Sequence, residues 1–367
     1  MTRRSQPTIT DSKPVSIKVL AEYLSLSPTT ISLVLNEAPA GRSIPEPTRE
    51  RVRAAAKKLG YRPSFFARSL RKKQSFTIGT MVPEISDPYS TMVMSGVDDV
   101  MQEEGYLDLT VSHRRKPDLI DEYPRILLDR SVEGIIVVDT LLSHALPVAT
   151  VSIGGHQTVG GIINVVLDHR RAAELVLRHL HKLGHREIAY MRGQEHSSDS
   201  RVRWESLMQV SRELRLAYIP ELTVQLELDS PSPELGYAMV GRLLGAGLPF
   251  TALVCYNDFA AIGAIRALVD AGLRVPEDVS VVGFDDVQNA AFNNPSLTTI
   301  RQPLREMGRI AARALLQMIR NAAPGPTADI PVLPELLIRE STLQPGAKKA
   351  AGQTETKAAR RMRAGRP

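Results

Sequence analysis

Residues 16–36, SIKVLAEYLSLSPTTISLVLN, predict two short helices joined by a tight turn. The first helix has one apolar face, formed by Ile17, Leu20, Ala21 and Leu24. Ser16 and Ser27 stand just ahead of the two helical stretches as candidate N-caps. Pro28 then occupies a first helical position, where its missing N–H is tolerated. The pattern is typical of a helix-turn-helix.

The second predicted helix has an inner and an outer face. Ile31, Val34 and Leu35 are expected to pack on the small methyl group of Ala21. The outer face consists of Pro28, Thr29, Thr30, Ser32, Leu33 and Asn36. A recognition helix in a DNA major groove contacts base edges through its first turns, which makes these residues candidate DNA contacts. Two amphipathic helices and a turn also form ordinary helical hairpins, so this pattern alone leaves both interpretations open.

Charge is distributed unevenly along the 367 residues, although the net charge is only +6. Residues 1–75 carry 15 Lys and Arg against 5 Asp and Glu, and residues 346–367 carry 7 against 1. The chain between them therefore has a net charge of −10. A basic segment on an acidic body is the electrostatic footprint of phosphate binding. A merely solvated basic face would explain the charge but not its confinement to the segment that holds the helix pair.

Composition and length limit the class of protein. With 43% hydrophobic and 23% charged residues, the chain is typical of a globular protein of two or three domains. No apolar run is long enough to span a membrane, and the N-terminus lacks an apolar signal-peptide region, so we expect a cytoplasmic protein. The single cysteine, Cys255, excludes an internal disulfide bond and a cysteine-cluster zinc site; we expect it in the core.

From residue 76 onward, short β-rich stretches alternate with helical stretches. Nine strands are predicted, among them LTVQLEL (residues 222–228). Strand, helix, strand in series indicates parallel sheets with helices on both faces. We divide the strands between two sheets, so the predicted fold class is α/β with an all-helical head. Ligands of such folds bind outside the carboxyl ends of the strands, which makes polar residues there candidates.

The predicted domains are an arm at residues 1–15, a helix-turn-helix head at 16–61, a linker at 62–75, a core at 76–345 and a basic tail at 346–367. The arm and the tail are expected to be disordered. These boundaries follow the changes in composition, charge and periodicity along the chain.

Two further helices are predicted between the helix pair and the core. Thr48 is the candidate N-cap of a third head helix, which Gly60 would end. A helix of about ten residues from Pro63 is too short to be stable alone. We expect it to order only against DNA and a partner copy, with Leu70 as a wedge in the minor groove. The alternative is a linker helix with Leu70 packed on the core.

With these motifs in place, the sequence resembles the LacI family of bacterial transcription regulators over roughly residues 16–345. Seven segments carry the resemblance in order: SIKVLAEYLSLSPTTISLVLN, TRERVRAAAKKLGYRPSFFARSLR, TIGTMVPEISDPY, HLHKLGHREIAYMRG, YNDFAAIGAIRALVDAGLRVPEDVSVVGFDD, LTTIRQPLREMG and LLIREST. The resemblance implies a DNA-binding head, a hinge helix and a two-lobed core similar to periplasmic sugar-binding proteins. The implied partners are a pseudo-palindromic operator in double-stranded DNA, a second copy of the chain, and a small effector such as a sugar or a sugar derivative.

The resemblance also implies roles for individual residues. By motif position it places Thr29, Thr30 and Leu33 on the recognition helix, and Ala67 and Leu70 on the hinge-helix face that enters the minor groove. The other DNA-binding residues that we predict in these segments are Ser16, Ser27, Pro28, Ser32, Asn36, Tyr61, Arg62 and Arg68. The implied effector-binding positions are Asp87, Tyr89, Arg203, Asn257, Asp285 and Gln302. Arg203 would grip effector hydroxyls or carboxylates, and Gln302 would lie at a crossover between the lobes.

The sequence departs from the family pattern on the recognition helix and in the loop that follows it. Leu33 stands where many members have an arginine, so contact with a thymine methyl group replaces hydrogen bonding to guanine. The loop of residues 37–47 is longer than is usual, and Arg42 in it is a further candidate phosphate contact. The operator sequence therefore does not carry over from better-known members.

Other patterns in the sequence point to ordinary structure. Four histidines fall close together: His169, His179, His181 and His185. No carboxylate stands at ligand spacing, so we expect a cationic surface at a helix end and no metal. GGHQTVGG (residues 154–161) lacks dinucleotide-binding spacing and is expected to be a crossing or loop between lobes. No nucleophile motif is present, so we predict neither enzymatic activity nor a cofactor.

The sequence thus predicts a homodimeric, sequence-specific DNA-binding regulator, a repressor rather than an activator, under the control of a small polar effector. Two alternatives share a two-lobed core. A solute-binding protein would need export and has no use for a helix-turn-helix. An enzyme acting on sugars would need an acid, base or nucleophile, and the sequence shows no such group.

Overall fold

The computed structural model describes residues 15–36, 39–61, 74–157, 159–195, 197–227, 232–321 and 327–347. The chain divides into two units, residues 1–75 and residues 76–367, and each is described by itself. The predictions for the arm, the hinge helix and the tail fall almost entirely outside the described residues. The same is true of four candidate DNA contacts, Arg62, Ala67, Arg68 and Leu70.

The first unit contains the helices α1 (Ile17–Leu24), α2 (Pro28–Leu35) and α3 (Glu46–Lys58). A short 3-10 helix, Pro39–Ser43, lies between α2 and α3. The buried side chains of this unit are Leu20, Ala21, Leu24, Ile31, Val34, Val52, Ala55 and Ala56. The periodic apolar residues of the three helices therefore form one small core.

Two serine caps and one left-handed residue fix the turn between α1 and α2. Ser16 Oγ accepts a hydrogen bond from Val19 N at 3.4 Å, and Ser27 Oγ accepts one from Thr30 N at 3.0 Å. Ser25 ends α1 in the left-handed region at φ 54°. Both N-caps and the position of the turn are confirmed.

The start of α3 differs from the prediction. The helix begins at Glu46, two residues before Thr48, and Pro45 at its N-cap makes no side-chain hydrogen bond. Pro47 is accommodated because the N–H groups of a first helical turn have no intrahelical partner. Thr48 is therefore a helical residue and not the cap. Gly60 follows the last turn in the left-handed region at φ 63°, as predicted.

The second unit has two six-stranded sheets, each the centre of one lobe. The strands of sheet 1 are β1 (Thr77–Val82), β2 (Leu107–Ser112), β3 (Gly134–Val138), β4 (Ala149–Ile153), β5 (Ile162–Leu167) and β11 (Ala328–Val332). Their order is β11-β5-β4-β3-β1-β2, and the described pairs are parallel. The helices of this lobe are α4 (Pro88–Glu104), α5 (Pro117–Asp129) and α11 (Leu304–Asn321).

Sheet 2 has the order β12-β10-β9-β8-β6-β7. Its strands are β6 (Ile188–Arg192), β7 (Thr223–Gln225), β8 (Ala252–Val254), β9 (Ser280–Asp285), β10 (Thr298–Arg301) and β12 (Glu335–Leu337). The helices of this lobe are α6 (His169–Leu183), α7 (Ser198–Glu213), α8 (Pro233–Gly245), α9 (Asp258–Asp270) and α10 (Gln288–Phe292). In this sheet β12 runs antiparallel to β10, which the prediction of purely parallel sheets did not include.

In the described part of the chain, the lobes are joined after β5, after β10 and after β11. Gln302 lies in the second of these crossings, between β10 of sheet 2 and α11 of the other lobe. The GGHQTVGG segment was expected to cross or to lie between lobes. It instead connects β4 to β5 within sheet 1, so that prediction was wrong about the connection.

The structure has twelve described strands where the sequence predicted nine. The three missed strands, β10 to β12, have only four, five and three residues, and short strands carry little periodicity. β11 also contains Pro331, which is tolerated because β11 is an edge strand of sheet 1. The predicted strand LTVQLEL is reduced to the three residues of β7.

The buried apolar runs belong to the sheets. β1, β5 and β9 are buried at every position, as expected of parallel sheets covered by helices on both faces. Cys255 lies buried directly after β8, so it is a core residue as predicted. Among the residues that the structure describes, no helix is both long and apolar enough to cross a membrane.

Candidate functional site

α2 has the inner and outer faces that the sequence predicted. Its outer residues are exposed or half-buried: Pro28, Thr29, Thr30, Ser32, Leu33 and the following Asn36. On the opposite face, Ile31 and Val34 are at most 3% exposed. The exposed Pro28 and Thr29 form the first turn, which is the part of a recognition helix that reaches base edges.

Several polar side chains on this surface are already bonded to the helix ends. Ser27 Oγ and Thr30 Oγ1 are 2.8 Å apart. Asn36 Nδ2 donates to Ser32 O at 2.7 Å and to Ser32 Oγ at 3.1 Å. DNA contacts by these four residues would have to share or replace such bonds, because their first role is to satisfy the helix ends.

The loop after α2 packs closely on the last turn of that helix. A Cβ on Gly41 would lie 2.7 Å from Leu33 O, which is closer than real Cβ contacts allow. Gly41 is therefore required for the approach, and it fixes the exposed Arg42 next to α2. This position supports the predicted phosphate contact of Arg42.

Tyr61 lies partly inside the head. Its ring packs against the core of the three helices, and its backbone N donates to Ala56 O at 2.9 Å. Burial raises the pKa of the Tyr61 hydroxyl. Tyr61 therefore anchors the end of α3, and its predicted DNA contact is limited to the exposed part of the side chain.

A polar cleft of about 640 Å³, including space open to solvent, lies between the two lobes of the second unit. Five of the six predicted effector residues line it: Asp87, Tyr89, Arg203, Asn257 and Asp285. The sixth, Gln302, donates from Nε2 to Asp285 Oδ1 at 2.6 Å. Residues that are far apart in the sequence thus meet around one cavity.

Two of the cleft residues are helix caps. Asp87 Oδ1 accepts from Tyr89 N at 3.1 Å at the start of α4, and Asn257 Oδ1 accepts from Ala260 N at 2.9 Å at the start of α9. Each cap follows a strand of its own lobe. A side chain that caps a helix in this way is held in one orientation beside a positive helix end, which favours electron-rich ligand groups.

Asp285 is the last residue of β9 and has an unusual backbone. Its φ of 108° lies in a region that residues other than glycine rarely adopt, and its side chain is buried. Such conformations persist where the surroundings hold them, and they occur often at ligand sites. Burial raises the pKa of the Asp285 carboxyl well above its ordinary value, although the nearby Arg203 lowers it.

Arg203 is fixed in the middle of the cleft by partners of its own lobe. Its NH1 donates to Tyr256 O at 2.5 Å, and its NH2 donates to Asp199 Oδ2 at 2.8 Å. The guanidinium carbon lies 3.6 Å from the centroid of the Phe284 ring and 4.5 Å from that of Tyr256. Arg203 was expected to grip the effector, and in the structure two of its donors are already used by the protein.

Asp199 is at the centre of a cluster that the sequence analysis missed. Its Oδ1 lies 2.7 Å from His169 Nε2 and 3.2 Å from His156 Nε2. Burial alone would raise the pKa of the Asp199 carboxyl, but His169, His156 and Arg203 outweigh it and hold that pKa well below its usual range. His156 belongs to the β4–β5 loop of the other lobe, so the cluster joins the two lobes across the cleft.

This cluster corrects the prediction for the histidines. His169 and His185 are buried, at 3% and 1% exposure, and are not part of a cationic surface. Burial lowers the pKa of both imidazoles. His156, His169 and Asp199 offer ligand atoms within 4.8 Å of one another, an arrangement that sequence spacing did not reveal. The 2.7 Å contact between His169 and Asp199 is a hydrogen-bond distance.

A second contact between the lobes involves Asp139, which directly follows β3. Ser197 at the N-cap of α7 donates from Oγ to Asp139 Oδ1 at 3.0 Å. Arg115 forms an ion pair with the Asp139 carboxylate and donates from NH1 to Asp139 O at 3.1 Å. Asp139 could have been found from the sequence, because it is a polar residue at the carboxyl end of a predicted strand.

Comparison with known proteins follows the same division of the chain. Residues 16–64 match the domain described as "Bacterial regulatory proteins, lacI family", and residues 177–342 match the "Periplasmic binding protein-like domain". The HTH-type transcriptional repressor PurR of Haemophilus influenzae (strain Rd) is 32% identical over 339 residues, which are 89% of this chain and 98% of that protein. This chain belongs to the lacI family of bacterial regulatory proteins.

Other lacI-family proteins agree with this assignment. The HTH-type transcriptional regulator RegA of Clostridium saccharobutylicum is 32% identical over 339 residues, 89% of this chain and 99% of that one. A crystal structure of the lac repressor dimer bound to operator and the anti-inducer ONPF matches with a TM-score of 0.79 at 28% identity, over 90% of this chain and 100% of that chain.

The family assignment confirms the predicted α/β fold class with its helix-turn-helix head. It also confirms the predicted function, because the lacI-family relatives are DNA-binding transcriptional repressors that respond to small molecules. The two alternative functions, a solute-binding protein and a sugar-acting enzyme, are thereby excluded for the chain as a whole.

Proposed function

We propose that this lacI-family repressor binds a near-palindromic operator as a homodimer. A small polar ligand, such as a sugar, binds in the cleft between its lobes and raises or lowers its affinity for the operator. Pro28, Thr29 and Leu33 on the outer face of α2 contact base edges in the major groove. Arg42 contacts phosphate beside them. Leu70 of each copy inserts into the minor groove at the centre of the operator. Because its target is chromosomal DNA, the protein acts in the cytoplasm.

The ligand part of the proposal is supported by one cavity, which is lined by Asp87, Tyr89, Arg203, Asn257 and Asp285. The carboxylates accept from ligand hydroxyls, and the amide of Asn257 can donate to them. These residues come from both lobes, so a ligand that binds them changes the free energy of one lobe arrangement relative to another. Such coupling requires different affinities for the two arrangements and is reciprocal between ligand and DNA.

A gel-shift series on fragments of the protein's own promoter region tests this function. We expect one retarded complex on a fragment with a near-palindrome, and a change of its apparent affinity in the presence of at least one sugar. Arg203→Ala should keep the complex and lose the response to that sugar, with a matched Arg313→Ala variant at an exposed position of α11 as the control. The absence of any complex on every fragment would count against DNA control by this protein.

A further inference from the structure

We propose that Asp199 acts as an internal anion that occupies Arg203, so that the cleft accepts uncharged polyhydroxylated ligands and rejects phosphorylated or carboxylated ones. This inference rests on the proposed function, since it assigns a ligand class to the same cleft. Asp199 is thereby a specificity-determining residue that none of the predicted site positions included.

The pair is built into one helix. Asp199 and Arg203 are one turn apart on α7, and Arg203 NH2 lies 2.8 Å from Asp199 Oδ2. Both residues are 5% exposed. Within so little water, an ion pair between neighbours on one helix face is strongly favoured over separate charges. An acidic ligand would have to displace Asp199 to reach the same donor.

Asp199 is held in place from its other side. His169 and His156 both contact its Oδ1, while Oδ2 faces Arg203. The pKa of Asp199 is held well below its usual range, so the carboxylate stays ionised at neutral pH. It is therefore a permanent counter-charge to Arg203 and not a group that a ligand can easily move aside.

The other charges in the cleft point to the same ligand class. Among the described residues that line it, the cationic side chains are Arg115 and Arg203, and Arg115 is paired with Asp139. Five acidic side chains line the cleft with these two arginines: Glu84, Asp87, Asp139, Asp199 and Asp285. An entering anion would lose its hydration and meet the ionised Asp199 carboxylate. Hydroxyl groups would instead donate to the carboxylates and accept from the remaining N–H groups of Arg203.

The competing interpretation is that Asp199 and Arg203 form an ion pair that only stabilises α7. A gain of function separates the two interpretations, because removal of a merely stabilising pair would not create affinity for acidic ligands. Asp199→Ser frees the guanidinium for a ligand anion. Glu205→Gln is the matched control, since Glu205 is an exposed acidic residue of the same helix and its replacement changes the net charge equally.

The experiment is isothermal titration of the full chain with matched probes: ribose and ribose 5-phosphate, glucose, glucose 6-phosphate and gluconate. For the unchanged protein we expect at least one neutral sugar to bind, and its anionic counterparts to bind at least about ten-fold more weakly. For Asp199→Ser we expect the affinity for an anionic sugar to rise at least about ten-fold, the scale of one charge-assisted hydrogen bond. Glu205→Gln should behave like the unchanged protein.

Several results would overturn the inference. These are binding of an anionic sugar to the unchanged protein as tightly as its neutral counterpart, failure of every neutral sugar to bind, and a folded Asp199→Ser variant with no gain. If circular dichroism shows that Asp199→Ser does not fold, the near-isosteric Asp199→Asn takes its place under the same criteria. Operator binding, measured in parallel, separates this inference from the proposed function: retained DNA binding with negative sugar results contradicts only the role of Asp199.

Discussion

Gln302 Nε2 donates to Asp285 Oδ1 at 2.6 Å, which joins a crossing between the lobes to a carboxylate of the cleft. Gln302 lies between β10 of one lobe and α11 of the other, and both residues are at most 7% exposed. A ligand that bonds Asp285 therefore acts on a group that is already tied to the crossing. This contact gives ligand binding a physical route to the relative positions of the lobes.

The first prediction concerns this contact. Gln302→Leu keeps the side-chain volume and removes the donor, so Asp285 loses its partner. We expect ligand affinity, measured by isothermal titration, to fall about two- to ten-fold, since an ordinary hydrogen bond contributes about 0.5–1.5 kcal/mol. Operator affinity without ligand should stay unchanged. Gln317→Leu, at an exposed position of α11, is the control; equal losses in both variants would rule out a specific role for Gln302.

A second prediction concerns the loop that follows α2. Gly41→Ala places a Cβ 2.7 Å from Leu33 O, so the loop must move away from the helix and take Arg42 with it. We expect operator affinity to fall several-fold and the head to lose about 1 kcal/mol or more of unfolding free energy. Gly241→Ala is the control, because nothing lies within 4 Å of a Cβ there. Unchanged DNA binding by Gly41→Ala would remove Arg42 from the interface.

Thr29 provides the third prediction. It is exposed in the first turn of α2, so Thr29→Ala should remove a base contact without disturbing the core of the head. We expect specific affinity to fall by about 1–3 kcal/mol and affinity for random DNA to stay nearly constant, because nonspecific binding depends on phosphate contacts. Competition gel shifts measure both quantities. Thr91→Ala, an exposed threonine in the other unit, is the control, and a parallel loss of nonspecific binding would contradict base reading by Thr29.

The sequence analysis succeeded where the interacting residues lie close together in the chain. Ser16 and Ser27 cap helices within three residues, and local patterns of this kind are visible in a sequence. The cluster around Asp199 was missed because His169 and His156 lie 30 and 43 residues from Asp199, and His156 belongs to the other lobe. Spacing along the chain cannot reveal a contact that exists only after both lobes have folded.

Interactions between distant segments also explain the errors in the predicted fold. The strands β10 and β12 are short and are stabilised by neighbours that lie elsewhere in the sequence, so their own residues carry too little pattern. The buried His185 looked like a surface group from its helical spacing. In the structure His185 Nε2 donates to Leu343 O at 2.9 Å, and its Nδ1 lies 2.9 Å from Thr251 Oγ1. Both partners come from distant segments of the chain.

Leu70 is the subject of the fourth prediction, which rests on the sequence. Leu70→Ala should weaken specific operator binding by at least about ten-fold and leave nonspecific affinity nearly intact, because the wedge acts only when the minor groove at the operator centre is opened. Leu248→Ala is the control, because Leu248 is a 40% exposed leucine of the second unit. Operator affinity equal to that of the unchanged protein would show that Leu70 does not act as a wedge.

The fifth prediction concerns pH. Burial raises the pKa of Asp258 to about 7, while Thr299 Oγ1 and Val287 N donate to its carboxylate at 2.6 and 2.8 Å. The folded state then keeps a proton that the unfolded state loses near pH ~4. Between about pH 4 and about pH 7, this group should therefore lower the free energy of unfolding by roughly 1.4 kcal/mol per pH unit.

Asp258→Asn should remove that part of the pH dependence, since the amide does not titrate and can bond both Thr299 and Val287. Urea unfolding of the variant and the unchanged protein at a series of pH values measures the difference in slope. Asp129→Asn, at the exposed last residue of α5, should keep the original slope. Equal slopes in Asp258→Asn and the unchanged protein would show that Asp258 is ionised throughout this range.

Selection of DNA sites from a random pool by the purified full chain tests the central claim most directly. If two heads read DNA through the outer face of α2, the selected sequences will share a near-palindrome whose two halves are bound by one dimer, and addition of the effective neutral sugar will change their affinity. A pool that shows no common sequence after repeated selection, or a common sequence without two-fold symmetry, would contradict the account.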